Sequence, residues 1–476
     1  MRRMPKLDSS SDEFRAAGHK LVDWIADYLG GGVESHDVLS RVKPGDIEKS
    51  FADAPSNSGK SYDALMQEFN DKILPGMTHW NHPAFFAYFS ITGSQAGVLA
   101  EFLTAALNAN GMLWKTSPSL TELETLALRW LRNALGLPDN LFGIINDTAS
   151  INSFLALAAA REALGLDIRG KGMSGRDLPP LRVYCSEHAH SSIEKAALAL
   201  GFGATGVVQI PGDENYRMRI DALEEAIARD KREGALPCCV VATTGTTSIA
   251  SVDPVARVGE IARREKMWMH VDAAYGGSAT IEPKFRWLWD GIELADSIVI
   301  NPHKWLFTPI DCSVLYTRKP DVLRETFSLV PEYLKTTDSA EINYMDYGLQ
   351  LGRRFRALKL WMVMEHYGID RMRAVIRDHV SYAERLAAEL TKREDVELLA
   401  PQSLSVVVFR KVARDASGAV DEAASEKLNA DLLERINASG KLFVSHTKLR
   451  GRYGIRVAIG NGATEWRHVA GILEFL

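Results

Sequence analysis

The chain has 476 residues, of which 46% are hydrophobic and 25% charged, and its formal net charge is −5. This is the balance of an ordinary soluble globular protein, and the length is sufficient for two or three domains. Acidic and basic residues are interspersed, so we expect no nucleic-acid partner, and the longest apolar run, Phe154 to Ala160, is too short to cross a membrane.

The first predicted element is an amphipathic helix, with apolar positions from Phe14 to Leu29 and an end at Gly30-Gly31-Gly32. No apolar stretch follows the charged start of the sequence, so we expect no signal peptide. From about residue 85 to residue 320, helices alternate with short apolar strands. This alternation predicts a helix-covered α/β sheet whose strands are mostly parallel.

Turn and capping residues mark several elements within this stretch. Ser119 to Glu122 has the pattern of a capping box, which predicts the start of a helix that ends at Gly136. Asp253-Pro254 predicts the start of a later helix. The predicted strands of this region are Gly143–Ile145, Arg182–Cys185, Cys238–Thr243, Trp268–Val271, Ser297–Ile300 and Cys312–Tyr316.

The C-terminal part has a different pattern. Two long helical segments are expected at Phe355 to Tyr367 and Arg371 to Arg393. They lead into an α+β region with strand-like segments at Leu404 to Phe409 and Ile455 to Ile459.

Lys304 is the strongest candidate for chemistry. It belongs to Asn301-Pro-His-Lys-Trp305, which directly follows the predicted strand ending at Ile300. A lysine at this edge of an α/β sheet can form a Schiff base with an aldehyde cofactor. A lone lysine is more often a solvated surface residue. Its neighbours His303 and Trp305, however, favour a half-buried position.

Asp272 ends the preceding predicted strand, in His270-Val-Asp-Ala-Ala274. The carboxyl ends of strands line the ligand crevice of an open α/β sheet. A carboxylate there can pair with a protonated pyridine nitrogen, because an opposite charge at contact distance favours the ionised form. An isolated aspartate at this position is more often a helix cap, but its place before the lysine motif favours the functional interpretation.

Two turns can supply hydrogen-bond donors to a phosphate. Asp147-Thr-Ala-Ser150 precedes a predicted helix, whose first amides and dipole attract anions. Gly245-Thr-Thr247 follows a strand and offers hydroxyls. A third turn contains His190, whose imidazole can stack on a cofactor ring. Each of these turns also has a purely structural interpretation, as a helix cap or a bystander.

Taken in chain order, the motifs resemble those of the group II pyridoxal-phosphate decarboxylases, and especially the aromatic-L-amino-acid decarboxylases. The likeness extends from Phe14 to the C-terminus and includes Thr78 to Pro83. The motifs that carry it are His190-Ser-Ser192, Thr244–Thr247, His270–Gly276, Asn301–Trp305 and Leu351–Trp361.

The resemblance implies a role for each site residue. Lys304 would hold the pyridoxal phosphate, Asp272 would pair with its ring nitrogen, Ala274 would pack under the ring and His190 would stack above it. A mobile loop at about residues 328–346 would carry Tyr333, which protonates the carbon after carbon dioxide leaves. The implied phosphate contacts are Ala149, Ser150, Asn301, His303 and a threonine of the pair Thr246 and Thr247.

The family's fold type I implies three segments: an N-terminal helical dimerisation segment (1–84), a large α/β domain that binds the cofactor (85–370) and a small α+β domain (371–476). Active sites would lie at a homodimer interface. Trp80, Tyr88 and Phe89 match the positions that line the family's aromatic pocket. The expected substrate is therefore tryptophan, phenylalanine or tyrosine.

At three positions of the implied substrate pocket, this chain differs from the enzymes that it resembles. Ile91 and Met112 replace a threonine and a phenylalanine of the animal enzymes. Gln350 stands where the plant enzymes have a small residue that separates indole from phenol substrates. The catechol and indole preferences of the relatives therefore do not transfer directly to this chain.

Other functions remain as alternatives. Gly201-Phe-Gly-Ala-Thr-Gly206 resembles a dinucleotide fingerprint, but it follows a helix and precedes a strand, which is the reverse of the required order. Histidine pairs such as His188 and His190 lack a carboxylate at metal-ligand spacing, so we expect no metal. A non-catalytic binding protein would not need both Lys304 and Asp272.

The nearest rivals are an oxidative aldehyde synthase and a decarboxylase of a non-aromatic amino acid. Relatives of the first kind carry phenylalanine for the loop tyrosine or asparagine for the stacking histidine, whereas this chain has Tyr333 and His190. Four cysteines without metal-ligand spacing indicate a reducing compartment, and we expect the cytoplasm.

Overall fold

The computed structural model describes residues 10–55, 57–329 and 341–476, which fold around a seven-stranded sheet and a four-stranded sheet. The strands are β1 Phe142–Asn146, β2 Leu181–Ser186, β3 Val207–Ile210, β4 Leu236–Thr243, β5 Trp268–Asp272, β6 Ser297–Ile300, β7 Ser313–Thr317, β8 Val396–Leu398, β9 Val406–Lys411, β10 Ser445–Leu449 and β11 Arg452–Ala458. The α-helices are α1 Ser11–Leu29, α2 Asp46–Lys49, α3 Tyr62–Glu68, α4 Gln95–Leu107, α5 Pro118–Leu135, α6 Ala149–Glu162, α7 Ile168–Lys171, α8 Ser192–Ala199, α9 Ile220–Arg232, α10 Val255–Glu265, α11 Pro302–Trp305, α12 Pro320–Phe327, α13 Arg356–Thr391, α14 Glu422–Ala438 and α15 Trp466–Ala470.

The large sheet has the strand order β1-β7-β6-β5-β4-β2-β3. Strand β7 is antiparallel to both of its neighbours, and the strands from β6 to β3 are parallel. The predicted α/β class with a mostly parallel sheet is thus confirmed. The carboxyl ends of β2, β4, β5 and β6 consequently meet at one edge.

Helices cover both faces of this sheet. On one face, α5, α10 and α13 bury leucines and valines against alternate residues of β4 and β5, such as Val240 and Met269. On the other face, α6 and α8 pack against Val183 and Val241. Apolar residues on both sides of the central strands leave no solvated face, which explains their nearly continuous hydrophobic sequence.

The small sheet is antiparallel, with the order β10-β11-β9-β8. Its core includes Phe409 and Val457 and also buries Leu432 of α14 and Phe85 from the N-terminal part of the chain. A small C-terminal α+β region is therefore present. The boundaries given above for the three segments stay predictions.

Two predicted helix starts are wrong in detail. Helix α5 begins at Pro118 after Ser117, so Ser119 lies inside the helix and forms no capping box. Asp253 is not a cap for α10, which begins at Val255. Its buried carboxylate instead accepts hydrogen bonds from the Met218 and Thr243 amides at 2.7 and 2.8 Å. The Asp253 side chain therefore binds backbone amides that are distant in sequence, whereas local capping rules predict that it caps α10.

Helix α13 combines the two predicted C-terminal helices. Gly368 interrupts it with φ of 70° and ψ of 155°, close to the predicted gap. The glycine is needed there because a side chain disfavours positive φ. In the parts of the chain that the structure describes, no helix is long and apolar enough to span a membrane.

Candidate active site

The parallel topology gathers the predicted motifs at one edge of the large sheet. The Asn301 amide donates to the Ala274 carbonyl at 3.1 Å, which joins the lysine motif to the aspartate motif. The Thr244 amide donates to the Asp272 carbonyl at 2.8 Å, which joins the aspartate motif to the threonine turn. Motifs that lie far apart in sequence therefore form one continuous site.

Lys304 lies on the single turn of α11, directly after β6. Its Nζ is 5.3 Å from the centroid of the Phe89 ring, and it makes no hydrogen bond or ion pair with any described residue. Burial lowers the pKa of this amine; the carboxylate of Asp272 partly offsets that effect and the guanidinium of Arg456 adds to it. A half-buried amine without a partner among the described residues is a candidate nucleophile.

Asp272 ends β5 as predicted and is buried. Its Oδ1 accepts a hydrogen bond from the Ala274 amide at 3.1 Å, which orients the carboxylate at the strand end. Ala274 is also buried, in the loop between the two motifs. The structure thus places a carboxylate and a small side chain beside the lysine, as the resemblance implied for the cofactor ring.

His190 lies in the turn between β2 and α8. Its Nδ1 accepts from the Ser192 amide at 3.2 Å and is 2.8 Å from the Ser192 hydroxyl. The proton of the neutral ring is therefore on Nε2. Partial burial lowers the pKa of His190; the charge of Asp272 opposes this and that of Lys304 reinforces it. This electrostatic interaction with both residues indicates that the imidazole faces the site.

The two turns proposed for a phosphate differ in what they offer. Ala149 and Ser150 form the first turn of α6, where amides have no acceptor within the helix. Thr246 is fully buried, and its hydroxyl pairs with Ser251 at 2.8 Å. Thr247 is exposed. The structure therefore favours Thr247 over Thr246 as the free hydroxyl of that turn.

Asn301 and His303 are held in one orientation by buried partners. The Ser313 hydroxyl donates to Oδ1 of Asn301 at 2.5 Å and accepts from Asn152 at 2.7 Å. Nδ1 of His303 accepts from the Cys312 amide at 2.9 Å, and burial lowers the pKa of this histidine to about 3. The side-chain amide nitrogen of Asn301 and the Nε2–H of His303 remain available as hydrogen-bond donors, and such donors suit an anion.

Arg456 is a functional candidate that the sequence reasoning missed. It is buried on β11, with its Cζ 4.8 Å from the Phe89 ring centroid, and it forms no ion pair with any carboxylate in the described chain. Its Nη2 is buried without a partner among those residues. Burial lowers the pKa of Arg456 to about 10, so it remains cationic. A charged residue within the apolar run from Ile455 to Ile459 was the available signal.

The residues predicted to line the aromatic pocket fall into two groups. Phe89 is buried and stacks on Tyr275 with ring centroids 3.6 Å apart. Trp80 and Tyr88 stack on each other at 5.8 Å and are partly exposed. Half-buried Ile91 follows shortly after Phe89 in the chain. The ring of Phe89 lies beside the Lys304 amine, 5.3 Å from centroid to Nζ.

Met112 and Gln350 have different kinds of neighbours. Met112 packs against Leu113 and Met345. The side-chain amide of Gln350 donates to Asp147 at 3.1 Å, beside the α6 turn. Gln350 therefore has a polar partner at the position where the resemblance places substrate selection.

Tyr333 and residues 330–340 of the predicted loop lie outside the described residues, so the assignment of Tyr333 stays a prediction. The flanks of the segment approach each other, because the Ser328 hydroxyl donates to Asp346 at 3.0 Å.

The donor set fits pyridoxal phosphate. The half-buried amine of Lys304 can bond to the aldehyde, and the carboxylate of Asp272 suits a protonated ring nitrogen. The amides of α6, with Asn301 and His303, suit the phosphate. These residues would hold the cofactor without rearrangement of the sheet.

Comparison with known proteins agrees with this fit. Residues 44–412 match the pyridoxal-dependent decarboxylase conserved domain. The chain is 39% identical to tryptophan decarboxylase 2 of Oryza sativa subsp. japonica over 96% of this chain and 93% of that protein. It is also 39% identical to phenylacetaldehyde synthase of Arabidopsis thaliana, over 96% and 94% of the two chains.

A solved structure of Oryza sativa TDC with PLP and tryptamine superposes with a TM-score of 0.94 and 37% identity, covering 99% of this chain and 98% of that one. Fold and sequence agree along nearly the whole length. This chain is a member of the pyridoxal-dependent decarboxylase family.

Proposed function

We propose that the chain decarboxylates an aromatic L-amino acid, giving an arylalkylamine and carbon dioxide, with pyridoxal phosphate held by Lys304. The observation that carries the proposal is the half-buried amine of Lys304, which has no hydrogen-bond or ion-pair partner among the described residues and interacts electrostatically with the buried carboxylate of Asp272. Relatives named for decarboxylation of tryptophan and tyrosine support it.

When bound, the cofactor supplies an electron sink for the bond that breaks at the α-carbon. The residues of the chain prepare that sink. Asp272 would keep a proton on the ring nitrogen, because a carboxylate at contact distance favours the charged form. The α6 amides, Asn301 and His303 would hold the phosphate. His190 would cover the opposite face of the ring.

Lys304 must be neutral to attack an aldehyde. Burial of Lys304 and the positive charge of Arg456 both lower the pKa of this amine, which favours its neutral form. The Phe89 ring gives the amine an apolar neighbour on one side. The same apolar surface, with Trp80 and Tyr88, would receive a flat aromatic side chain. Tryptophan, phenylalanine and tyrosine are the substrates we propose.

Tyr333 would donate the proton that completes amine formation. A second candidate function is oxidative aldehyde formation, because phenylacetaldehyde synthase is as similar to the chain as the tryptophan decarboxylase. We favour simple decarboxylation because the chain has both Tyr333 and His190. Measurement of amine, aldehyde and carbon dioxide from each aromatic amino acid separates the two functions.

We further propose a homodimer. None of the residues of α1 is buried, and Phe14 is 68% exposed. On α4, Leu99, Leu103 and Leu107 are at least half exposed, which is unusual for three leucines on one helix. A second copy of the chain would cover these faces across a two-fold axis. Light scattering on the parent and on Leu103→Glu tests this, and a fully active parent monomer would contradict it.

The segment boundaries at residues 84 and 370 and a cytoplasmic location complete the proposal. The four cysteines are buried and unpaired, which suits a reducing compartment. Limited proteolysis tests the boundaries, and fractionation of cells tests the location.

The decisive experiment is to trap the cofactor. The purified protein is incubated with pyridoxal phosphate, reduced with borohydride and mapped by peptide mass spectrometry. We expect the label on Lys304, loss of label in Lys304→Arg, and unchanged labelling in Lys195→Arg, which alters an exposed lysine of α8. Label on a different lysine would overturn the assignment.

A further inference from the structure

A buried chain of hydrogen bonds joins Trp268, Ser297 and His270, and His270 precedes Asp272 by two residues on β5. The Trp268 indole is 2.8 Å from the Ser297 hydroxyl, and that hydroxyl is 2.9 Å from Nδ1 of His270. An indole nitrogen can only donate, so the Ser297 oxygen accepts from Trp268. The Ser297 proton has no other acceptor in the described chain, so it is donated to Nδ1 of His270.

This direction determines the tautomer of His270. Nδ1 is an acceptor, so the proton of the neutral imidazole is on Nε2. Burial lowers the pKa of His270 to about 4, so the ring is neutral at physiological pH. The Nε2 atom is completely buried and has no hydrogen-bond partner among the described residues. A buried donor without a partner is costly, which indicates that an acceptor belongs beside it.

The sheet register identifies that acceptor. Residues 270 and 272 of β5 point to the same face, because side chains alternate along a strand. Thr243 of β4 is paired with Asp272 in the parallel ladder and shares this face. Its hydroxyl is also buried without a partner in the described chain. Two buried polar groups without a partner in the described chain therefore share one face of the sheet with the Asp272 carboxylate.

A carboxylate that pairs with a ring nitrogen has to be held in one orientation. Hydrogen bonds from fixed donors to its oxygens can do this. Lys304, His190 and His270 all interact electrostatically with Asp272, and of these three His270 lies on the same strand, β5.

We propose that His270 is a positioning residue, whose Nε2–H donates to Asp272 across one water and which, together with the Thr243 hydroxyl, holds that carboxylate toward the cofactor. Ser297 and Trp268 set the tautomer. This inference rests on the proposed function, because it assigns Asp272 to the ring nitrogen.

The test compares His270→Phe, which keeps a ring without a donor, with His270→Gln, which keeps an N–H. Met269→Leu, on the opposite face of β5, is the control. Three quantities are measured on the full chain: the dissociation constant of pyridoxal phosphate, kcat and KM, and the ¹⁵N chemical shift of the ring nitrogen in labelled cofactor.

For His270→Phe we expect about 10-fold weaker cofactor binding, the factor for one hydrogen bond to a charged group. We also expect a lower kcat at unchanged KM and a ring-nitrogen shift toward the unprotonated value. His270→Gln should restore most of each change, and Met269→Leu should resemble the parent. Equal losses in both His270 variants, or an unchanged nitrogen shift in His270→Phe, would overturn the proposal.

Thr243→Val is isosteric and provides the test if His270→Phe does not fold. A smaller nitrogen shift in the same direction supports the proposal, and no shift overturns it. Asp272→Asn separates this inference from the proposed function. If it leaves the nitrogen shift unchanged, the assignment of Asp272 fails; if it moves the shift while His270→Phe does not, only the role of His270 fails.

Discussion

Replacement of Arg456 by methionine tests how the protein keeps the Lys304 amine reactive. Methionine preserves a long apolar side chain against Phe89 but removes the charge. The Cζ of Arg456 and the Nζ of Lys304 lie 4.8 and 5.3 Å from the same ring centroid. The two charges are therefore at most about 10 Å apart.

This separation gives the size of the effect. Two unit charges about 10 Å apart repel by about 1.7 kcal/mol at an effective dielectric constant of about 20. Because this repulsion disfavours the charged amine, Arg456→Met should raise the pKa of Lys304. The direction agrees with the lowering that Arg456 causes. At any pH below that pKa, the neutral fraction of the amine should fall.

The assay is the rate at which pyridoxal phosphate attaches to the cofactor-free protein, measured against pH and trapped with borohydride. In Arg456→Met the profile should move to higher pH. Arg456→Lys keeps the charge and should move it little. Arg385→Met is the control, because it removes a cation 3.9 Å from the Trp466 ring.

Arg456 also donates to the carbonyls of Thr247 and Ala87, both at 2.9 Å, so unfolding by urea is followed in parallel. A folded Arg456→Met protein with an unchanged pH profile would refute the electrostatic reasoning.

Three further predictions follow from the site and the core. Asp272→Asn should lower kcat by orders of magnitude with the fold retained by circular dichroism, and near-parent turnover would make Asp272 purely structural. Tyr333→Phe should leave substrate binding unchanged but replace amine by aldehyde, ammonia and hydrogen peroxide in air, and amine at the parent rate would place the proton donor elsewhere. Glu124→Gln leaves the buried guanidinium of Arg353, now 2.6 Å from Glu124, without its counter-ion. It should cost about 3–5 kcal/mol of unfolding free energy in urea titration, and a loss below about 1 kcal/mol would contradict this.

Local patterns in the sequence were sufficient for the elements of the large sheet and for the order of the motifs. Hydrophobic periodicity predicted Ser297–Ile300 as it is found, and Gly143–Ile145 to within a residue at each end. Because carboxyl ends of parallel strands share one edge, Lys304 and Asp272 could be expected close together before any coordinates were known. The role of Tyr333 is still a prediction from the sequence.

What depended on distant segments was decided only by the tertiary structure. Arg456 reaches Phe89 from the small sheet, and no local pattern specifies which strand of that sheet faces the site. Thr246 and Thr247 are equivalent in sequence, yet burial against Ser251 leaves only Thr247 exposed. Asp253 caps no helix because the Met218 and Thr243 amides bind it. Periodicity and capping depend on neighbours in sequence, whereas burial and hydrogen-bond partners depend on which elements meet in space, and that is determined by packing of the whole chain.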